Sequence, residues 1–369
     1  MRIGLTSPFA HPYVRRGVER YVQDLAAWLA SRGHAVTIVA TSPDKSHVVV
    51  NEAGVVIRYR HPGRPFGRGR LRVDELLRSI PAMSRGIRQT RADVYQCHHY
   101  VDAAAIRVAR AGGRRARYVL SVPGVPRVSS LGGRPLHRLA FRAAASGSSK
   151  IHALSRFAAD ALRDEFGLSA EVMPPGVDTL RFGGPKVSTE DPFVLCTAAA
   201  DDPRKRVDLL VATFPLLHRE RPDVRLILAP PTVAAASRLL GQLDCSVRRR
   251  TELREISDPT ELAALYREAA VTVLPSVDEA FGLVLVESLA AGTPVVGSDH
   301  GAIPDVIDDP AIGRLFPPGD TEALSRRLVE ALELASDPAT APSCRAAAQR
   351  WDWAAIGPRH EQAFASLVE

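Results

Sequence analysis

Lysine is almost missing from this chain, with four residues against 44 arginines, a bias typical of GC-rich coding. Cysteine is as scarce: Cys97, Cys196, Cys245 and Cys344 stand far apart, with no Cys-x-x-Cys and no Cys/His cluster at zinc spacing. That excludes a disulfide framework and a structural zinc site, and it fits a reducing compartment. No apolar run approaches the ~18 residues of a membrane span. The opening "MRIGLTSPFAHP" lacks the apolar stretch and cleavage site of an export signal and reads as a first strand. A cytoplasmic location is expected. Gly-x-Gly-x-x-Gly, the P-loop, His-Glu-x-x-His and Gly-x-Ser-x-Gly are all absent. Nicotinamide hydride transfer, P-loop phosphoryl transfer, zinc proteolysis and elbow-serine hydrolysis therefore lose their usual sequence support. There is no Asp-x-Asp either, so a metal-bridged diphosphate site lacks its usual carboxylates.

What is present is enough for two domains: 369 residues, against roughly 100–200 per domain. The charge is unevenly placed. Residues 1–184 carry 29 Lys and Arg against 13 Asp and Glu, a net +16, while residues 185–369 carry 19 against 28, a net −9. Such asymmetry bears on partners rather than fold. The basic half suits an anionic acceptor, peripheral contact with the inner membrane face, or nucleic acid; the coding bias is the plainer origin.

Short β-branched runs alternate with helical patterns along the chain, the signature of βαβ units and parallel sheets. "RIGLTSP", "AVTIVAT", "VVIRYRH", "DVYQCHH", "RYVLSVPG" and "KIHALS" read as strands, and "VERYVQDLAAWLASRGH" as an amphipathic helix ended by Gly33. "GGPKVSTEDP" (183–192) reads as a linker, after which the pattern restarts. The expected fold class is α/β with two doubly wound, Rossmann-like domains, 1–184 and 185–346. A terminal helix, about 347–369, is expected to pack back on the first domain. Ligands of such sheets bind at the carboxyl ends of the strands. The Arg-rich segment 58–91 is expected to be exposed and mobile.

The stretch "SVDEAFGLVLVES" (276–288) places Glu287 inside an apolar run and Glu279 eight positions earlier. A strand–loop–helix reading puts the backbone N–H groups of Phe281, Gly282 and Leu283 at a helix N-terminus, a site for phosphate. Glu279 stands beside it, and Glu287 inside the helix points back toward it. Two readings fit this spacing. Both carboxylates face one ligand bearing hydroxyls and phosphates, or Glu287 is bonded to backbone or an arginine while Glu279 is solvated.

The Glu-x7-Glu stretch with "AAGTPVVGSDHGAIPDVI" resembles the family-4 (group 1) retaining glycosyltransferases of GT-B fold. "RGVERYVQDLAAWLASRGHAVTIVAT", "DVYQCHH", "ALSRFAADALRDEFGLSAEVMPPGVDTLRF", "DPRKRVDLLVATF" and "GRLFPPGDTEAL" resemble further family motifs, in order along nearly the whole chain. The resemblance implies a metal-independent, retaining hexosyltransferase using a nucleoside-diphosphate sugar, UDP- or GDP-linked, and no cofactor. The C-terminal domain would hold the donor and the N-terminal domain a small-molecule, glycan or lipid acceptor; no nucleic acid is implied. Glu279 would contact donor sugar hydroxyls and Glu287 the ribose. Phe281, Gly282 and Leu283 would offer N–H groups to sugar and phosphate. Lys205 and Arg204 would neutralise the diphosphate, Gly17 would let backbone approach it, and Ile256 would lie by the base. His98 matches the histidine facing donor and acceptor, so Lys205, Glu279 and His98 would carry the chemistry. Tyr13, Arg15, Arg16 and His99 are candidate acceptor contacts.

This chain departs from the family pattern in places. Arg16 replaces the first glycine of the first loop, Ala200 stands where an arginine is usual, and Pro123 where a histidine often stands. "LILAPP" replaces a glycine-rich turn, which puts the base contacts near Ile256 in question. A sugar-nucleotide epimerase or phosphorylase of the same architecture, or a donor-binding auxiliary subunit without turnover, therefore stay open as alternatives. His34 reads as a helix-to-strand turn residue, and Trp351 and Trp353 as packing.

Overall fold

The computed structural model describes residues 1–10, 13, 17–62, 75–110, 117–127, 135–187, 189–256 and 258–369. Within them the chain divides into two compact units, Met1–Gly176 with Ile356–Glu369, and Val177–Ala355.

The first unit is built on β1 (Arg2–Thr6), β2 (Ala35–Thr41), β3 (His47–Val50), β4 (Val56–Arg60), β5 (Val94–Cys97), β6 (Tyr118–Val122), β7 (Lys150–Ala153) and β8 (Glu171–Val172). Their spatial order is β3-β4-β2-β1-β5-β6-β7-β8. Neighbours are parallel except β3 and β4, which are antiparallel. The hairpin joining those two turns on Asn51, whose Oδ1 accepts from the Val55 N–H at 2.9 Å. The central strands β1, β5 and β6 are buried over almost their whole length, because helices cover both faces of a parallel sheet.

The second unit carries β9 (Phe193–Cys196), β10 (Arg225–Leu228), β11 (Thr251–Leu253), β12 (Val271–Leu274), β13 (Val295–Ser298) and β14 (Gly313–Phe316). The order is β11-β10-β9-β12-β13-β14 and every neighbouring pair is parallel. All four residues of β9, β12 and β13 are buried. Each large aliphatic there contributes on the order of 1.5–3 kcal/mol by leaving water.

The sequence puts the domain boundaries at 184 and 346, whereas the units divide at 176 and 355. Residues 177–183 stay with the second unit because the short helix Thr179–Phe182 is tied to Asp352. The Thr179 N–H and hydroxyl both donate to Asp352 Oδ2, at 3.2 and 2.5 Å. The last helix, Trp353–Val368, ends in the first unit. Gly357 lies so close to the Trp28 indole that a Cβ would come within 2.2 Å of a ring carbon. Glu361 meets His34 Nε2 at 2.9 Å, which places His34 at the turn between the helix Gly17–Ser31 and β2.

The Arg-rich segment departs from expectation. Residues 63–74 lie outside the described residues, but Glu75–Arg88 forms a helix. Ala82, Met83, Ser84 and Ile87 are buried, and Ser84 Oγ donates to the Ala105 carbonyl of the helix Tyr100–Arg110 at 2.9 Å. Arg85 and Arg88 point outward. Over 75–88 the segment is therefore a packed helix with Arg85 and Arg88 on its outer face.

Candidate functional site

In each sheet the chain winds outward from a central strand and then resumes on its other side. In the second unit this reversal falls between β9 and β12, so the loops that follow them splay apart and leave a crevice at the strands' carboxyl ends. The loop after β9 ends in a 3-10 turn, Pro203–Lys205, capped by Asp202, and then Arg206 in the left-handed region at φ 48°. The loop after β12 carries Asp278, also left-handed at φ 54°, and then Glu279. A non-glycine residue held there stores strain, and such strain gathers at functional sites.

Across the crevice Lys205 Nζ meets Glu279 Oε2 at 2.6 Å, with side chains 27% and 13% exposed. The surrounding loops fix this pair. The Val277 N–H donates to the Arg204 carbonyl at 2.7 Å, and the Ala302 N–H to the Glu279 carbonyl at 3.0 Å. Gly301 presses on the Glu279 backbone, where a Cβ would stand 2.8 Å from its carbonyl oxygen. His300 Nε2 lies 3.5 Å from Asp278 Oδ1. Arg204 is held in a fork by Asp202, at 3.1 and 2.7 Å. Although burial pushes the Asp202 carboxyl up, those hydrogen bonds outweigh it and hold the group below its ordinary range. Arg206 pairs with Asp208.

The helix Leu283–Ala290 starts at Gly282, left-handed at φ 94°. The backbone N–H groups of Phe281, Gly282 and Leu283 have no hydrogen-bond partner among the described residues. The Phe281 ring is buried edge-on against Trp351 at 5.0 Å, giving that tryptophan its packing role. Glu287 is 1% exposed and accepts a hydrogen bond from the Tyr266 hydroxyl at 3.1 Å. Tyr266 in turn stands 3.2 Å from Thr197 Oγ1. The buried carboxylate thus belongs to a polar chain joining the loop after β9 to two helices. Ile256 is half-buried just beyond β11.

In the first unit the reversal falls between β1 and β5, and His98 and His99 follow β5 directly. His98 is 1% exposed. Its Nδ1 donates to the Thr6 carbonyl at 3.0 Å, and its Nε2 accepts from Gln96 Nε2 at 3.0 Å. Burial, partly offset by the Thr6 carbonyl, lowers its pKa to about 4. His99 is half-buried, and its Nδ1 accepts the Val101 N–H at 3.3 Å. Burial and then His137 lower it to about 4. Gly17 opens the first helix; Tyr13 is 37% exposed with its ring 5.5 Å from Tyr59. Arg15 and Arg16 lie outside the described residues. The fold thus brings Lys205, Glu279, Arg204 and the 281–283 backbone together around one crevice and places the two histidines at the crevice of the other unit. Sequence reasoning missed Tyr266 and His300; neither has a local signal, since their partners come from the fold. Among the described residues no cluster of three or more His, Cys, Asp or Glu is arranged to hold a metal ion, and no helix is long and apolar enough to cross a membrane.

Two doubly wound α/β units of this kind define the GT-B class, and solved structures agree. Sucrose-phosphate synthase from Thermosynechococcus elongatus superposes with a TM-score of 0.81 at 20% identity, over 99% of this chain and 98% of that one. The profile of the glycosyl transferases group 1 matches residues 184–351, and that of glycosyltransferase family 4 matches residues 15–181. A D-inositol 3-phosphate glycosyltransferase from Geodermatophilus obscurus is 30% identical over 90% of this chain and 82% of its own length. A phosphatidyl-myo-inositol mannosyltransferase from Propionibacterium freudenreichii is 26% identical over 97% and 93%. The chain belongs to the group 1, family-4 glycosyltransferases.

Proposed function

We propose that this glycosyltransferase moves a hexose from a UDP- or GDP-linked donor to an acceptor hydroxyl, with retention and without a metal. The observation that carries the reading is the Lys205–Glu279 pair at 2.6 Å in the crevice of the second unit, beside the 281–283 N–H groups. A nucleoside-diphosphate sugar offers each charge a partner: diphosphate for Lys205, sugar hydroxyls for Glu279. As the glycosidic bond breaks, negative charge grows on the diphosphate, and a fixed ammonium and a helix N-terminus lower that barrier. Arg204 and Arg206 are each paired with an aspartate two residues away, whereas Glu279, the partner of Lys205, turns to the sugar hydroxyls, so Lys205 takes the larger share. Glu287, anchored by Tyr266, takes the ribose hydroxyls, and Ile256 lies by the base. The acceptor attacks from the face the diphosphate leaves, and a departing phosphate oxygen takes the acceptor proton; no enzyme nucleophile is needed.

The first unit takes the acceptor. The names of the relatives favour an inositol-bearing, anionic acceptor, and the +16 charge of residues 1–184 agrees with that. A lipid-borne acceptor would bring this unit to an anionic membrane surface at the cytoplasmic face. Thermal shift against UDP-, GDP- and dTDP-sugars tests the reading: one nucleotide raises the melting temperature of the wild type and not of Lys205→Met. Equal shifts in both proteins would remove Lys205 from the donor site.

A further inference from the structure

The crevice between β1 and β5 is walled by two adjacent histidines of opposite character. His98 has both ring nitrogens bonded within the protein and is 1% exposed. In His99 only Nδ1 is engaged, as acceptor of the Val101 N–H at 3.3 Å. Nε2 has no partner among the described residues and is not among their buried unpaired atoms, so it reaches solvent. We infer that His99, rather than His98, is the histidine that contacts the acceptor, and that it does so as a hydrogen-bond donor through Nε2–H.

The tautomer follows from the bond already made. With Nδ1 accepting, the one proton of the neutral ring lies on Nε2. Burial and His137 keep the ring neutral at physiological pH. In this form Nε2 donates to a hydroxyl or phosphate oxygen and cannot act as a base. That suits a reaction in which the departing phosphate takes the acceptor proton. The ring is also clamped. Tyr100 lies against it with centroids 4.1 Å apart and planes at 34°. The Tyr100 hydroxyl is itself 2.5 Å from Nδ1 of His137, which is 5% exposed. A donor on a ring held from beneath loses little freedom when it binds. His98 then acts as a positioning residue, tying the end of β5 to the end of β1 through the Thr6 carbonyl. The inference rests on the glycosyltransferase reading only in calling the ligand an acceptor.

The test compares the full-length wild type with His99→Ala, His99→Asn and His98→Ala. Three quantities are read: the KM for D-inositol 3-phosphate, donor hydrolysis without acceptor, and diethyl pyrocarbonate labelling localised by peptide fragmentation. Losing one neutral hydrogen bond raises the acceptor KM about tenfold in His99→Ala. The loss in acceptor KM exceeds any change in acceptor-free donor hydrolysis, and His99→Asn, which keeps an N–H, recovers part of it. The reagent labels His99 ahead of His98, and D-inositol 3-phosphate slows that labelling. An unchanged KM in His99→Ala, or labelling of His98 first, would overturn the assignment. A wild type that releases no nucleoside diphosphate from any donor sinks the glycosyltransferase reading separately. In that case, or where the wild type hydrolyses donor without glycosylating this probe, the labelling order decides between the two histidines.

Discussion

Acid should unfold the first unit through three histidines. His98, His152 and His360 lie together under Tyr21, with ring centroids 5.4 Å apart for Tyr21 and His98, 6.1 Å for Tyr21 and His360, and 6.3 Å for His152 and His360. Burial is the largest cause in each case, and it lowers them from the ordinary 6.5 to about 4, about 4 and about 3. Lys150 and Arg359 press further on His152. Each folded value lies below its unfolded value. Stability is therefore whole above pH 6.5 and is lost as pH falls, because the unfolded chain binds protons the folded unit refuses. Each such proton steepens the loss by about 1.4 kcal/mol per pH unit, so three give about 4 kcal/mol per unit between about pH 6 and pH 4. A domain stability of ~5–15 kcal/mol would be largely spent near pH 4. Among the described residues both ring nitrogens of His152 lack a hydrogen-bond partner, so His152→Leu removes one refused proton and two unsatisfied atoms. The slope should fall to about 3 kcal/mol per pH unit, and the variant should outlast the wild type at pH 5. Urea unfolding at fixed pH, followed at Trp28 in a Trp351→Phe, Trp353→Phe background, reads this. Stability that is flat from pH 7 to pH 5, or a leucine variant as acid-labile as the wild type, refutes the reasoning.

Gly301→Ala should abolish turnover while the second unit stays folded. Its Cβ would meet Glu279 backbone atoms at 2.8 and 3.0 Å, and the glycine is left-handed at φ 70°, so the Glu279 loop must move; donor hydrolysis at more than a tenth of the wild-type rate would contradict this. Tyr266→Phe should cost the second unit about 1–3 kcal/mol by removing a donor from a buried carboxylate. It should also weaken nucleotide binding, and a variant matching the wild type in urea midpoint and nucleotide affinity would show that Glu287 does not depend on it. Asp278→Gly relieves the left-handed strain but loses the contact to His300. Turnover should fall with nucleotide affinity unchanged, measured by calorimetry beside kinetics.

Much of the fold was legible because parallel strands buried on both faces read as short continuous apolar runs between helical patterns. The geometry of the candidate site was legible where one segment holds it: Glu279, Gly282 and Glu287 share a single strand–loop–helix. What escaped was what only tertiary contact decides. Tyr266 lies in an ordinary amphipathic helix, and nothing local says that its hydroxyl crosses to Glu287. The helix Glu75–Arg88 carries an apolar stripe at Leu77, Ile80, Met83 and Ile87, at helical spacing, but the surrounding arginines outweighed it. The edge strand β3 has only a short local signal, the apolar runs that bracket a turn in "VVVNEAGVVI". The contrast between His98 and His99 depends on hydrogen bonds to Thr6, Gln96 and Val101, and only the Thr6 bond spans the fold.

The central claim is that Lys205 and Glu279 together hold the donor across the crevice of the second unit. Its most direct test is the rate of nucleoside diphosphate release from UDP- and GDP-hexoses, with and without D-inositol 3-phosphate, for the wild type, Lys205→Ala, Glu279→Ala and the double variant. The account predicts losses of at least a hundredfold in each single variant and no further comparable loss in the double, since the two act on one ligand. Single variants that release nucleoside diphosphate at the wild-type rate would contradict it.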